Sequence, residues 1–309
     1  MLRALLLYLS KAKWAMAIVT KWGLAKLVAR RFVAGETQQE AVEAIQKLNA
    51  KGVMATVDIL GESVTDKEAT FQTVQQYLDV LDAIHQNNLQ SSVSVKLTAL
   101  GLDIDPQLCR DNMRRILERA RQLGLVVTID MEDHTYTQRT LDLFRTLRYD
   151  DGFDNVHTVI QSYLYRSDQD VEQLAEEGAS LRLCKGAYKE PHTVAYPKKK
   201  QVDEAYVRQM KVLLDAAAQG RGYPGIATHD ERIIEQAKVY VAEKNIPRDC
   251  FEFQMLHGVR SALQTQLVEE GYRMRVYVPF GTHWYPYFMR RLAERPANLW
   301  FFVSNFFKR

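Results

Sequence analysis

The residue types best suited to chemistry gather near the end of this sequence. In the segment Tyr285–Arg295, a period of 100° per residue puts Tyr287, Arg290, Arg291 and Glu294 on one helix face. Phe288, Met289, Leu292 and Ala293 take the other. Pro286 suits a first helical turn, and Pro296 stops the helix before it. Adjacent guanidinium groups repel, so Arg290 and Arg291 want an anion beside them. A carboxylate ligand meets that need through bidentate hydrogen bonds. Glu294, one turn beyond Arg290, can hold one of the pair in position. Taken alone, the same helix could present a solvated charged face.

A second set comes from strand alternation, in which successive side chains point to opposite faces. In Val93-Ser94-Val95-Lys96-Leu97 the apolar residues share a face, so Lys96 takes the other. Asp130 likewise opposes Val127, Ile129 and Met131. Phe251 and Phe253 leave Glu252, Gln254 and Leu256 opposite, and Val276 and Val278 leave Arg275 and Tyr277 opposite. If the apolar sets lie under helices, Lys96, Asp130, Gln161, Arg182, Gln254 and Tyr277 converge on an interior. Buried charge is costly unless it is paired or functional. The set therefore predicts a site, with an ordinary inward ion-pair layer as the plainer alternative.

Such residues need a scaffold that gathers strand ends beneath a late helix. From Val53 onward, β-rich runs alternate with helical stretches. The predicted strands are Val53–Leu60, Ser92–Thr98, Val126–Glu132, Thr158–Leu164, Leu181–Gly186, Gly225–His229, Phe251–Leu256 and Arg273–Pro279. Between them lie amphipathic segments such as Asp66–His85, Gln107–Leu123, Asp203–Gln219 and Asp230–Lys244. Eight alternations predict an α/β fold, a (βα)8 TIM barrel, preceded by an N-terminal helical arm. An open doubly wound sheet is the rival, but no G-x-G-x-x-G follows the first strand. The expected division is a basic helical arm over 1–50 and a catalytic barrel over 51–309, with a capping helix at 285–295 and an apolar C-terminal tail.

The chain has 309 residues, 47% hydrophobic composition and a formal charge of +3. It can bury a large core, and its overall charge gives no reason to expect nucleic acid. Cys109, Cys184 and Cys250 are far apart, which argues against a disulfide framework or a zinc site. The first 35 residues hold seven Lys or Arg and no Asp or Glu. They read as an arm packed on the domain, as one that also touches anionic lipid, or as a transit peptide. The tail from Asn298 to Arg309 has seven large apolar residues in twelve. It suits barrel packing, a subunit interface or the lipid interface, and no apolar run is long enough to span a bilayer.

Several ordered motifs resemble the proline dehydrogenase family, from about Arg31 to Asn298. They are Asp58-Ile-Leu-Gly-Glu62, Ser94-Val-Lys-Leu-Thr98, Arg182-Leu-Cys-Lys-Gly-Ala-Tyr188, Ala227-Thr-His-Asp230, Phe251-Glu-Phe-Gln-Met-Leu-His-Gly258, Arg275-Val-Tyr-Val-Pro-Phe-Gly281 and the run Trp284–Asn298. The likeness is to the short monofunctional bacterial members, without the aldehyde dehydrogenase or DNA-binding parts of bifunctional ones. It implies a distorted (βα)8 TIM barrel holding FAD non-covalently at the strand C-termini, with the final helix capping the mouth and closing over L-proline. Arg290 and Arg291 should bind the substrate carboxylate with Lys96 beside it. Tyr277, Tyr287 and Leu256 should wall the ring, with Tyr188 nearby. Asp130 should orient Tyr277 or the last helix, and Glu62 resembles a gate residue pairing with Arg290. Arg182 should sit beside flavin N5, and Gln161, Cys184, Gly186, Thr228, His229 and Glu294 should contact the cofactor.

The resemblance further implies the first step of proline catabolism to glutamate. The product would be Δ1-pyrroline-5-carboxylate, with a membrane quinone as electron acceptor. The expected location is cytoplasmic, peripherally on the inner face of the cell membrane, and oligomerisation stays open. Two other readings are a Schiff-base aldolase using Lys96 or Lys185 and a membrane-surface binding protein that keeps the barrel without catalysis.

Overall fold

The computed structural model describes residues 29–294, with side chains as far as Leu292, together with Tyr8, Leu9, Ala12, Trp14 and Met16. The apolar tail, most of the basic arm and the Glu294 side chain lie outside the described residues. Eight parallel strands close into one barrel in sequence order. They are β1 (Met54–Ile59), β2 (Ser91–Val95), β3 (Val127–Ile129), β4 (Val156–Gln161), β5 (Leu181–Cys184), β6 (Gly225–Ala227), β7 (Glu252–Leu256) and β8 (Met274–Phe280). Closure runs from Met54 opposite Arg275 to Ile59 opposite Phe280.

The alternation in the sequence has a direct physical outcome. Val93, Val95, Val127, Ile129, Phe253, Val276 and Val278 are fully buried in the main core. Each stabilises the barrel by roughly 1.5–3 kcal/mol through burial. The intervening residues turn inward, so the barrel interior is polar. Several strands are shorter than predicted. Lys96 caps a 3-10 turn at Leu97–Leu100, and Asp130 follows β3 directly. The chain leaves the sheet there, while the side chains keep the direction set by the preceding pleat.

Among the described residues, the α-helices from Gln38 onward are α1 (Gln38–Asn49), α2 (Lys67–Gln86), α3 (Pro106–Gln122), α4 (Thr137–Arg145), α5 (Ser167–Glu176), α6 (Lys199–Ala218), α7 (Glu231–Glu243), α8 (Ser261–Glu269) and α9 (Trp284–Glu294). Thr37 and Glu40 form a capping box that starts α1. The sequence reading puts α1 in the arm. In the structure Ala41, Val42 and Ile45 join the main core, and α1 packs on β1 and β8. It fills the place that a helix after β8 would take in the outer ring.

That place is open because α9 goes elsewhere. Gly281, with φ of 124°, donates its N–H to Gly35 O at 2.9 Å and turns the chain away. The apolar face of α9, with Trp284, Phe288, Met289 and Leu292, then packs on Ala29, Phe32, Val33 and Leu60. Trp284 Nε1 donates to Glu36 Oε1 at 3.1 Å. Among the described residues, no helix is long and apolar enough to cross a membrane.

Candidate active site

Four charges meet inside the barrel at the C-terminal ends of the strands. Asp130 Oδ1 accepts from Arg182 Nη1 at 2.6 Å and from the Ser94 hydroxyl at 3.1 Å. Its Oδ2 accepts from the Tyr277 hydroxyl at 2.6 Å. Lys96 Nζ donates to Asp58 Oδ1 at 2.6 Å and lies 3.8 Å from Asp130. Two carboxylates thus offset two cations, which lets the group stay buried. Burial pushes the Asp58 carboxyl above its usual range, against the pull of Lys96. Burial also works against the Lys96 charge, but Asp58 and Asp130 outweigh it and hold the ammonium above its ordinary value. The Arg182 guanidinium lies over the Tyr277 ring, 5.1 Å from its centroid.

Asp58 is a site residue that the strand-alternation reading did not single out. The signal was present: Asp58 opposes Val57 as Lys96 opposes Val95.

A cavity of about 370 Å³ opens above these groups. Asp58, Lys96, Asp130, Arg182 and Tyr277 line it from below, and Tyr287, Arg290 and Arg291 from α9. The structure thus brings both sets of candidates to one space. Arg290 Nη1 meets Glu62 Oε1 at 2.9 Å, the pairing expected of a gate residue. The Arg291 guanidinium lies 5.0 Å from the Tyr287 ring centroid. Tyr188 and Leu256 also face the cavity. Burial, followed by the charge of Glu62, raises the Tyr188 hydroxyl above its usual value.

The side formed by β4 to β7 carries the remaining candidates. Gln161, Cys184, Gly186, Thr228 and His229 all line the cavity. The Gln161 amide bridges two elements: Nε2 donates to Glu132 O at 2.7 Å, and Oε1 accepts from the Ala187 N–H at 3.4 Å. Cys184 Sγ points at Ile160 O at 3.5 Å. The Thr228 hydroxyl accepts from the Asp230 N–H at 3.1 Å. His229 Nε2 accepts from the Leu256 N–H at 3.0 Å. Gly186 has φ of 112°, and a Cβ there would run into the Tyr163 ring.

Schiff-base chemistry needs an uncharged amine. Lys96 is held charged by Asp58, while Lys185 Nζ is engaged by Asp203 at 2.5 Å and Asp230 at 2.9 Å. Neither lysine is set up as a nucleophile.

Comparisons with known proteins point to one family. A family model described as proline dehydrogenase matches residues 41–303. The chain is 42% identical over 309 residues to proline dehydrogenase 1 of Bacillus subtilis strain 168, covering 100% of both chains. It is 43% identical over 290 residues to a proline dehydrogenase of Deinococcus radiodurans, covering 93% of this chain and 91% of that one. Among solved structures it resembles proline utilization A from Bdellovibrio bacteriovorus, inactivated by N-propargylglycine. The TM-score there is 0.82 at 27% identity, over 89% of this chain and 33% of that one.

Proposed function

The chain belongs to the proline dehydrogenase family, and from that premise we propose that it oxidises L-proline with a non-covalently held FAD and passes the electrons to a membrane quinone. The observation carrying this reading is the cavity in which Asp58, Lys96, Asp130, Arg182 and Tyr277 face Arg290 and Arg291. Its volume of about 370 Å³ falls in the ~300–1,000 Å³ range of small-ligand pockets. Cations predominate in its lining, with Lys96, Arg182, Lys185, Arg290 and Arg291 against Asp58 and Asp130. That excess suits an anionic cofactor together with a substrate carboxylate. Met131, Val159, Ala187 and Met255 add apolar wall for a flat ring.

FAD bound there would supply the hydride acceptor, N5 of its ring, so that L-proline leaves as Δ1-pyrroline-5-carboxylate. Arg290 and Arg291 grip the substrate carboxylate, with Lys96 beside it, and so fix which ring carbon reacts. Tyr277, oriented by Asp130, walls the ring together with Tyr188, Leu256 and Tyr287. Glu62 competes with the carboxylate for Arg290 and so gates the site. Gln161, Cys184, Gly186, Thr228, His229 and Glu294 hold the cofactor. Arg182 directs its positive charge toward the cofactor's reacting ring.

A visible spectrum tests the core of this reading. The purified protein should be yellow, and anaerobic L-proline should bleach its absorbance. A colourless protein without extractable flavin would defeat it.

Delivery to a membrane quinone gives the chain a reason to reach a lipid surface. The basic arm and the aromatic tail are the segments we assign to peripheral contact with the inner face of the cell membrane. The full chain should sediment with anionic vesicles at low salt, and a chain ending at Asn298 should sediment less. If the full chain stays in the supernatant, the membrane reading fails; equal sedimentation transfers the role to the arm.

A further inference from the structure

Arg182 is held on three sides. Asp130 and Ser94 take its Nη1 and Nη2, and Gln254 Oε1 accepts from its Nε at 2.6 Å. The Gln254 amide has its orientation set from below, because Nε2 donates to Glu252 Oε1 at 2.6 Å. Glu252 is 2% exposed and also receives Arg275 Nε at 2.6 Å and the Tyr223 hydroxyl at 3.2 Å. Gly225 pairs with both Arg182 and Glu252 across the strands, and a Cβ there would strike the Gln254 amide. Gly225 thus leaves room for the amide that holds Arg182.

We propose that Gln254, oriented by Glu252, is a positioning residue for Arg182 and through it sets the electron affinity of the bound flavin. The inference rests on the FAD reading above. A neutral amide anchors a guanidinium without adding a second negative charge to that of Asp130. The positive field toward the cavity therefore survives. The carboxylate that orients the amide lies one step lower, where Arg275 offsets it.

Spectroelectrochemistry of the FAD-loaded protein is the test. Flavin content of the unaltered protein is measured first; its absence defeats the FAD reading and not this inference specifically. Given flavin, Gln254→Leu should shift the midpoint potential to more negative values, in the same direction as Arg182→Met and by less. Its kcat for L-proline should fall about tenfold with KM nearly unchanged. In the Arg182→Met background, Gln254→Leu should add no further shift. An unchanged potential, or the same shift in both backgrounds, overturns the proposal. If Gln254→Leu does not fold, Gln254→Met, unbranched like glutamine and likewise without the Oε1 acceptor for Arg182 Nε, carries the test with the same expected and overturning results.

Discussion

Arg290→Met and Arg291→Met proteins are each expected to lose roughly 30- to 5,000-fold in kcat/KM for L-proline while keeping their flavin. The figure follows from truncating one partner of a desolvated, charge-assisted contact, which costs about 2–5 kcal/mol. The two arginines should differ in how the loss appears. Arg290 also meets Glu62, 228 positions away in sequence, so Arg290→Met removes both a carboxylate ligand and the gate's partner. Arg291 lies over Tyr287, so Arg291→Met also frees a wall of the pocket. Arg290→Lys should recover only part of the loss, because an ammonium restores charge and not the planar fork. Steady-state kinetics beside a flavin absorbance check would decide. Near-normal kcat/KM in either methionine variant would remove that arginine from the carboxylate site.

The same side chains show how far the sequence could be read. Lys96, Asp130, Arg182, Gln254 and Tyr277 were legible because their strands bury one face beneath helices, which forces the alternate residues inward. Alternation tells which face a residue takes and not which partner it meets. The pairing of Lys96 with Asp58, and of Arg182 with Gln254, needed the shear of the closed barrel. The slot taken by α1 was illegible for a similar reason. The capping box announces a helix, but its docking between β8 and β1 depends on α9 leaving the ring. The contact of Glu62 with Arg290 joins a loop to a distant helix. No periodicity encodes such a contact, and only the family resemblance pointed to it.

Lys96→Met should produce the largest loss of stability, about 3–5 kcal/mol at neutral pH. The reason lies in the charge balance of the floor. Asp58 is 1% exposed and has Lys96 as its salt-bridge partner at 2.6 Å. Asp130 keeps Arg182 when Lys96 is gone, so the uncompensated charge falls on Asp58. Burial already pushes the Asp58 carboxyl above its usual range, and Lys96 is the group that restrains it. Without Lys96 the folded state should hold the Asp58 proton more tightly still, while the unfolded chain keeps an ordinary value of about 3.9. Between those two values the native state binds more protons than the unfolded one. The variant's stability must therefore rise as pH falls from 7 toward 4. The unaltered protein gains less from this site as pH falls, because Lys96 restrains the rise of the Asp58 carboxyl. Lys96 itself, held above its ordinary value, contributes fully at every pH below about 10.4 and loses that contribution only as pH rises through its folded value. Urea unfolding at several pH values measures the difference. A deficit that stays constant from pH 5 to pH 8 would show that Asp58 is not the stranded charge. Adding Asp58→Asn to Lys96→Met should restore most of the stability, since a neutral pair leaves no buried charge. It should not restore kcat/KM, because the ammonium beside the substrate carboxylate is still missing.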